Sequence, residues 1–292
     1  MEIKLSSQSQ GVLSMAIASV FFFLMSILVK SCEGLPLSQI VFFRALVAIV
    51  ICIIQLKYLK VSPWGTHRKY LVARGFFGTF ALIIFFATLH KIPLATAVTI
   101  QYLSPIFTTL LTALLLKEKF LKGQIIFFLC AFLGVVVIKG PQGGYSSALL
   151  LGVLGAFFAA CAYTTIRKIQ HLGGEHPLVI IFYFPLVTIP IIGPKMVLDW
   201  VSPNSIQWVY LIAIGVVVQI AQYFMTKAYQ QGEGSVVSIA GYLGVIRASL
   251  GGYFLFNESI NSSTFSGILL ILGSVVGNTI YKAKVSASKE PR

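Results

Sequence analysis

Apolar runs of roughly 20 residues recur along almost the whole chain, and few charges interrupt them. A helix of that length crosses about 30 Å of hydrocarbon. Such a density of long apolar runs leaves a soluble protein without a polar surface. Charged residues make up 10% of the 292 and hydrophobic residues 57%, whereas soluble domains carry about 25% charged residues. The solvent must therefore be lipid. In lipid each backbone N–H and C=O has to pair within the protein, which leaves helices or a closed barrel. A barrel needs alternating segments of about 10 residues, and the sequence has none. The expected class is an all-α integral membrane protein.

Ten spans are predicted, at 11–30, 37–57, 70–89, 94–116, 122–139, 147–167, 176–198, 206–226, 235–256 and 264–282. The first run follows Lys4 and resembles a signal peptide in position only. It is longer than a signal's apolar stretch and ends at Lys30 without a small-x-small cleavage site. It is taken as the first span. Connections are too short for a soluble domain. The net charge of +14 does not point to nucleic acid, because the basic residues sit at span ends and in short loops. With the N-terminus in the cytoplasm, sixteen Lys and Arg fall on the inner side, among them Arg74, and four on the outer side. That bias predicts cytoplasmic termini and a bacterial cytoplasmic (inner) membrane. Trp64, Trp200 and Trp208 fall at span ends, where interfacial anchors belong.

The chain also repeats itself. Gly11-Val12-Leu13 recurs as Gly152-Val153-Leu154, Pro36-Leu37 as Pro177-Leu178, and Phe43 as Phe184, all at an offset of 141. Tyr102 recurs as Tyr242 and Glu118 as Glu258 at 140, and Gly134 as Gly273 at 139. The near-constant offset predicts two five-span units, 1–141 and 142–292. Five is odd, so the second unit enters the membrane from the opposite side. Inverted repeats are a transporter architecture with the binding site near the midplane.

The segments VFFRALVA (41–48), PLATA (93–97) and LSPIFTTLLTALLLKEK (103–119), with Gly134, Gly267 and Gly273 in the fifth and tenth spans, carry a resemblance to a known family. The chain resembles the EamA-type family of the drug/metabolite transporter superfamily, over essentially its full length and once per half. The second half departs from the pattern, with Pro185 in the place of Arg44, Val245 in that of Pro105, and Asn257-Glu258 in that of Lys117-Glu118. The resemblance implies a ten-helix bundle with a central cavity, and export or exchange of small metabolites.

The residues themselves suggest where such a path runs. Pro105 sits inside the fourth span, where it removes a helical hydrogen bond. A kink there turns Gln101, Tyr102 and Ser104 toward a cavity; the plainer reading is a static kink. Arg247 lies twelve residues into the ninth span, near the bilayer centre. A central arginine costs at least about 2.5 kcal/mol and should face the bundle interior. It is a candidate for binding a substrate carboxylate or phosphate, against the alternative of bonding to neighbouring backbone. Arg44, nearer the outer surface, either contacts substrate or snorkels outward toward Glu258. Gln219 and Gln222 share one helix face. With Gln101, Tyr163 and Tyr242 they are candidates to orient a polar substrate, while Phe85 and Phe86 supply apolar walls. The alternative for these polar groups is helix–helix hydrogen bonding, and Asn278 is read as packing. Glu118 and Glu258 close the fourth and ninth spans on opposite sides, and are read as a gate pair with Pro105 or, more plainly, as solvated loop charge.

Several chemistries are excluded. The single aspartate, Asp199, and the histidines His67, His90, His171 and His176 lie at span ends or loops. No paired carboxylates, metal-ligand cluster or nucleophile elbow occurs, so the chain is not read as an enzyme. Cys32, Cys52, Cys130 and Cys161 have no metal-ligand spacing, and no cofactor is expected. Without a Walker-type loop, ATP does not drive a cycle. The reading is a secondary-active transporter, exporter or exchanger, for a small polar metabolite such as an amino acid, a nucleoside-like compound, S-adenosylmethionine or a vitamin, working by alternating access. The alternatives are a non-transporting structural protein on the same fold and a flippase for lipid-linked cargo. The expected partners are the substrate and the bilayer, with no nucleic acid, and the protein is expected as a monomer or homodimer.

Overall fold

The structure is a computed structural model that describes residues 7–117, 121–139, 146–232, 237 and 243–287. These residues form eleven helices: α1 (Ser7–Lys30), α2 (Leu37–Tyr58), α3 (Arg68–Leu89), α4 (Leu94–Gln101), α5 (Ser104–Leu116), α6 (Gln124–Lys139), α7 (Ser146–His171), α8 (Pro177–Leu198), α9 (Ser205–Gln231), α10 (Leu243–Phe256) and α11 (Ser262–Ala287). Eight stretches are long and apolar enough to cross a membrane, with α4 and α5 forming one of them, Leu94–Leu116. The apolar helices α6 and α10 are shorter.

The break between α4 and α5 falls where Pro105 requires it. Tyr102 and Leu103 donate to Thr99 and Ile100 three residues back, at 3.0 Å each, in a tightened turn. Pro105 then occupies the first turn of α5, where a missing N–H leaves no intrahelical bond unmade. At their far ends α5 and α10 stop alike. Lys117 (φ 55°) and Asn257 (φ 52°), 140 residues apart, both take the left-handed conformation.

The helices pair mainly across the two halves of the chain. The extensive contacts are α1 with α9, α3 with α7, α2 with α8 and α6 with α11. Exchanging the first five spans for the second five carries α1–α9 into α7–α3 and α2–α9 into α8–α3, all of which occur. The pairs α2–α8, α4–α10 and α6–α11 map onto themselves and also occur.

Close crossings rest on glycine. A Cβ on Gly267 of α11 would lie 2.6 Å from the Gly134 carbonyl oxygen of α6, and one on Gly134 would lie 2.9 Å from the Gly267 carbonyl oxygen. This is the small-residue contact that lets helices approach in lipid, where no hydrophobic force joins them. The same helix pair is tied by Gln124 Nε2 donating to Asn278 Oδ1 at 3.0 Å, so Asn278 bonds as well as packs.

Loops clamp the bundle at both ends. At the end bearing the C-terminus of α1, hereafter end A, Ser38 Oγ donates to Asp199 (2.9 Å) and Gln39 Nε2 to the Val201 carbonyl (2.8 Å). At the opposite end, end B, Tyr183 Oη donates to the Trp64 carbonyl (2.8 Å) and the Glu175 carboxylate accepts from the backbone of Thr66 (2.5 Å) and His67 (2.9 Å). Burial pushes the Glu175 carboxyl up, but its hydrogen bonds from His67 and Thr66 together outweigh that and hold it below its ordinary 4.5. A carboxyl lowered on folding stabilises above its unfolded value, and that contribution is lost as pH falls through the folded one. The Thr66 and His67 amides should therefore keep their hydrogen-exchange protection at pH 7 and lose it below about pH 4.5. In Glu175→Gln the protection should be reduced at pH 7 and insensitive to that acid step.

Candidate functional site

A cavity of about 170 Å³ lies in the middle of the bundle. Its wall draws on α1, α2, α3, α4, α5, α7, α8, α9 and α10, and so on both halves of the chain. Much of it is apolar, from Met15, Phe22, Phe23, Leu82, Phe85 and Met225, with Tyr163 stacked on Tyr229 at 4.7 Å. Hydroxyls and amides come from Ser19, Ser26, Gln101, Tyr102, Ser104 and Gln222.

Two arginines set its electrostatics. Arg44 of α2 is 3% exposed and Arg74 of α3 is 1% exposed. Each occupies a buried helical stripe, Val41–Arg44–Ala48–Cys52 on α2 and Leu71–Arg74–Gly78–Leu82 on α3, at the i, i+3/i+4 spacing of a helix face turned inward. Both guanidinium groups lie over the Phe184 ring of α8, with carbons 4.7 Å (Arg44) and 5.1 Å (Arg74) from its centroid. Arg74 Nη2 donates to Gln222 Oε1 at 3.1 Å. Arg44 Nε, Arg74 Nε and Arg74 Nη1 have no hydrogen-bond partner among the described residues.

No described carboxylate lines the cavity. Cation–π contact with Phe184 offers each arginine up to about 2 kcal/mol but does not cancel charge. Resting on one ring, the two cations lie within about 10 Å of each other, where like unit charges repel by roughly 1.7 kcal/mol at an effective dielectric of about 20. Desolvation adds several kcal/mol per ion.

Glycine makes room for this arrangement. A Cβ on Gly78, one turn beyond Arg74, would collide with Arg74 Nη1 and stand 3.2 Å from the Phe184 ring. Gly78 is therefore the gap into which the Arg74 head folds.

The model of the EamA-like transporter family matches residues 9–140 and again 146–280. The chain belongs to the EamA-like transporter family. It is 32% identical to the pseudopaline exporter CntI of Pseudomonas aeruginosa, over 90% of this chain and 93% of that one. It is 24% identical to an S-adenosylmethionine uptake transporter of Rickettsia prowazekii, over 86% and 85% of the two chains. A crystal structure shares the fold, with a TM-score of 0.71 at 18% identity over 95% of this chain and 99% of that one. The protein is thus a membrane transporter of the EamA-like family, related to carriers of small metabolites, and not an enzyme.

The structure distributes the sequence candidates unevenly. Gln101, Tyr102, Tyr163, Gln222, Arg44 and Pro105 line the cavity. Arg44 does not snorkel outward toward Glu258; it turns inward because its stripe faces α8 and Phe184 takes up its head. Phe86 is fully buried in the core beside the cavity, while Phe85 faces in. Gln219 is not on the wall; its amide donates to Gln55 Oε1 of α2 at 3.3 Å. Arg247 stands behind the wall on α10 and donates through Nη2 to Ser19 Oγ (2.5 Å), which does line the cavity. Tyr242 and Glu118 lie outside the described residues.

Glu258 is no solvated loop charge. Its side chain is 13% exposed and ion-paired with Lys30 of α1. Its other oxygen accepts from the Leu94 N–H at the start of α4 (2.8 Å), one of the donors a helix N-terminus leaves free. One carboxylate thus joins the end-A termini of α1, α4 and α10. Arg74 is the residue the sequence reading misplaced. Expected at the cytoplasmic end with Arg68 and Lys69, it lies more than one and a half turns inside α3. The spacing Leu71–Arg74–Gly78–Leu82, with an arginine in an otherwise small and apolar stripe, was the available signal.

Proposed function

We propose that the protein is a secondary-active transporter that carries a small polar metabolite across the cytoplasmic membrane by alternating access between two five-helix repeats of opposite orientation. The observation that carries this reading is the central cavity, walled jointly by both halves of the chain and furnished with hydroxyls, amides and arginines. The exchange symmetry of the helix pairs, the paired left-handed stops at Lys117 and Asn257, and the family match to each half support the repeats. Five spans per repeat give them opposite orientation, as in other transporters built on inverted repeats. A cytoplasmic position for end B and both termini is supported by the excess of Lys and Arg in the end-B loops. End A then faces outward, held by the Lys30–Glu258–Leu94 junction. The wall includes Tyr229, near the end-B terminus of α9, and no residue from the last turn of a helix at end A. On other helices the wall reaches toward end A at Ser26 and Phe85, so the cavity spans the middle of the bundle. Export is favoured by the similarity to the pseudopaline exporter.

The test is the medium of growing cells. Cells overproducing the protein should release at least one metabolite that vector cells and cells carrying a cavity-blocked variant retain. Identical media, with the protein correctly inserted, would reject export.

A further inference from the structure

From the two buried arginines we infer that the cavity is an anion receptor, and that its cargo is an organic anion whose carboxylates engage Arg44 and Arg74. This rests on the transport reading of the same cavity.

The argument begins with what the arginines lack. Both are more than nine-tenths buried, and three of their N–H groups have no partner among the described residues. Buried guanidinium groups are ordinarily paired with carboxylates or fully hydrogen-bonded, because an isolated buried charge is strongly unfavourable. The described residues offer no such pairing. Every acidic residue of the chain falls at a span end, in a loop or in a terminal segment. The four that are described are engaged or placed elsewhere. Glu258 pairs with Lys30, Glu175 holds the 66–67 backbone and Asp199 pairs with Lys195, while Glu33 lies in the α1–α2 loop. The two cations are gathered on one ring, although their separate helices could have kept them apart. An arrangement that costs the empty protein stability is retained where a ligand supplies the missing charge. Guanidinium is the group suited to this, since its fork matches a carboxylate with two parallel hydrogen bonds.

The surroundings sharpen the class. Gln222 holds Arg74 by accepting from Nη2, Nη1 packs into the gap at Gly78, and both arginines line the cavity. The neighbouring Phe and Met side chains keep water scarce, so each arginine–carboxylate contact is strengthened. A net cation, by contrast, would be repelled by both groups, with no described carboxylate on the wall to offset the repulsion. Two uncompensated positive charges favour a cargo with at least two carboxylates over one with a single carboxylate.

The experiment sorts cargo by charge without knowing its identity. Purified protein is reconstituted in proteoliposomes, which are incubated with a bacterial cytosolic metabolite extract. Compounds taken up are identified by mass spectrometry and classed by whether they are retained on an anion exchanger at pH 7. Wild type, Arg44→Gln and Arg74→Gln are run in parallel, each with its melting temperature. The expected result is uptake confined to retained anions, falling at least about tenfold in each variant, as loss of a charge-assisted contact implies. The variants' melting temperatures should be equal to or above wild type, because each removes a buried, uncompensated charge. A purely structural role for the arginines would lower them instead. Protein-dependent uptake of neutral or cationic compounds, or anion uptake that both variants retain, overturns the receptor and leaves the transporter standing. No protein-dependent uptake of any compound overturns the transport reading and the receptor with it. If a variant aggregates, the charge class taken up by wild type still decides.

Discussion

Gly78→Ala should lower transport by about 10–100-fold while the protein melts at or near its wild-type temperature. The added methyl collides with Arg74 Nη1 and crowds Phe184 at 3.2 Å. Of the two, the arginine head is the flexible neighbour, so the collision is relieved by moving it. Moving it breaks the Arg74–Gln222 hydrogen bond and its stacking on Phe184. A charge-assisted hydrogen bond is worth about 1.5–3 kcal/mol, which as binding energy is roughly a 10–100-fold effect. Stability changes little, since moving a buried, uncompensated charge relieves a cost that offsets the lost contacts, and alanine is the better helix former by up to about 1 kcal/mol. The check is a transport assay beside a thermal melt. Wild-type transport by Gly78→Ala would show that the position of Arg74 does not matter to cargo.

One turn earlier on the same face, Gly75→Ala should do the reverse and damage the fold. Its Cβ would stand 2.5 Å from the Tyr183 carbonyl oxygen and 2.8 Å from Val187 Cγ2, both on α8. A carbonyl inside a helix cannot step aside, so α3 and α8 must separate. Their cross-link, Thr79 Oγ1 to Thr188 Oγ1 at 2.7 Å, is strained by the same movement. Overpacking of this kind costs about 1–3 kcal/mol. The expected readings are a lower melting temperature and less folded protein in the membrane. Two glycines three residues apart thus separate function from folding by what stands opposite each. A melt of Gly75→Ala that matches wild type would mean that the α3–α8 contact is looser than described.

Much of the fold was legible because apolar length, proline and charge bias act locally. The run of apolar residues from 94 to 116 gave a span, and Pro105 gave the place where it divides into α4 and α5. Which way each helix faces was harder to read. In a soluble helix the polar side marks the surface. In lipid the outward face is apolar too, so Phe85 and Phe86, a third of a turn apart, look equivalent in sequence while one lines the cavity and the other fills the core. Gln219 and Gln222 share a face, as their spacing requires, yet that face meets two neighbours, α2 through Gln55 and α3 through Arg74. Sequence spacing gives the face and not the neighbour. Arg74 escaped because it stands close to Arg68 and Lys69, where a positive charge is explained by the membrane surface alone.

The cross-chain pairing of helices has a consequence for biogenesis. α1 meets its main partner, α9, only after about 200 further residues are made, which at 5–20 residues per second is roughly 10–40 s. During that interval it stands in the bilayer with little to pack against. The hydroxyl-bearing side chains suit this wait. Ser26 bonds the Phe22 carbonyl, Thr79 that of Gly75, Thr88 that of Ile84 and Thr99 that of Ala95, each within its own helix. Polar groups satisfied in this way expose no unmade bond to lipid. Each span can persist alone until its partner arrives, and a chain truncated after α6 would leave α1, α2 and α3 without the helices that bury them.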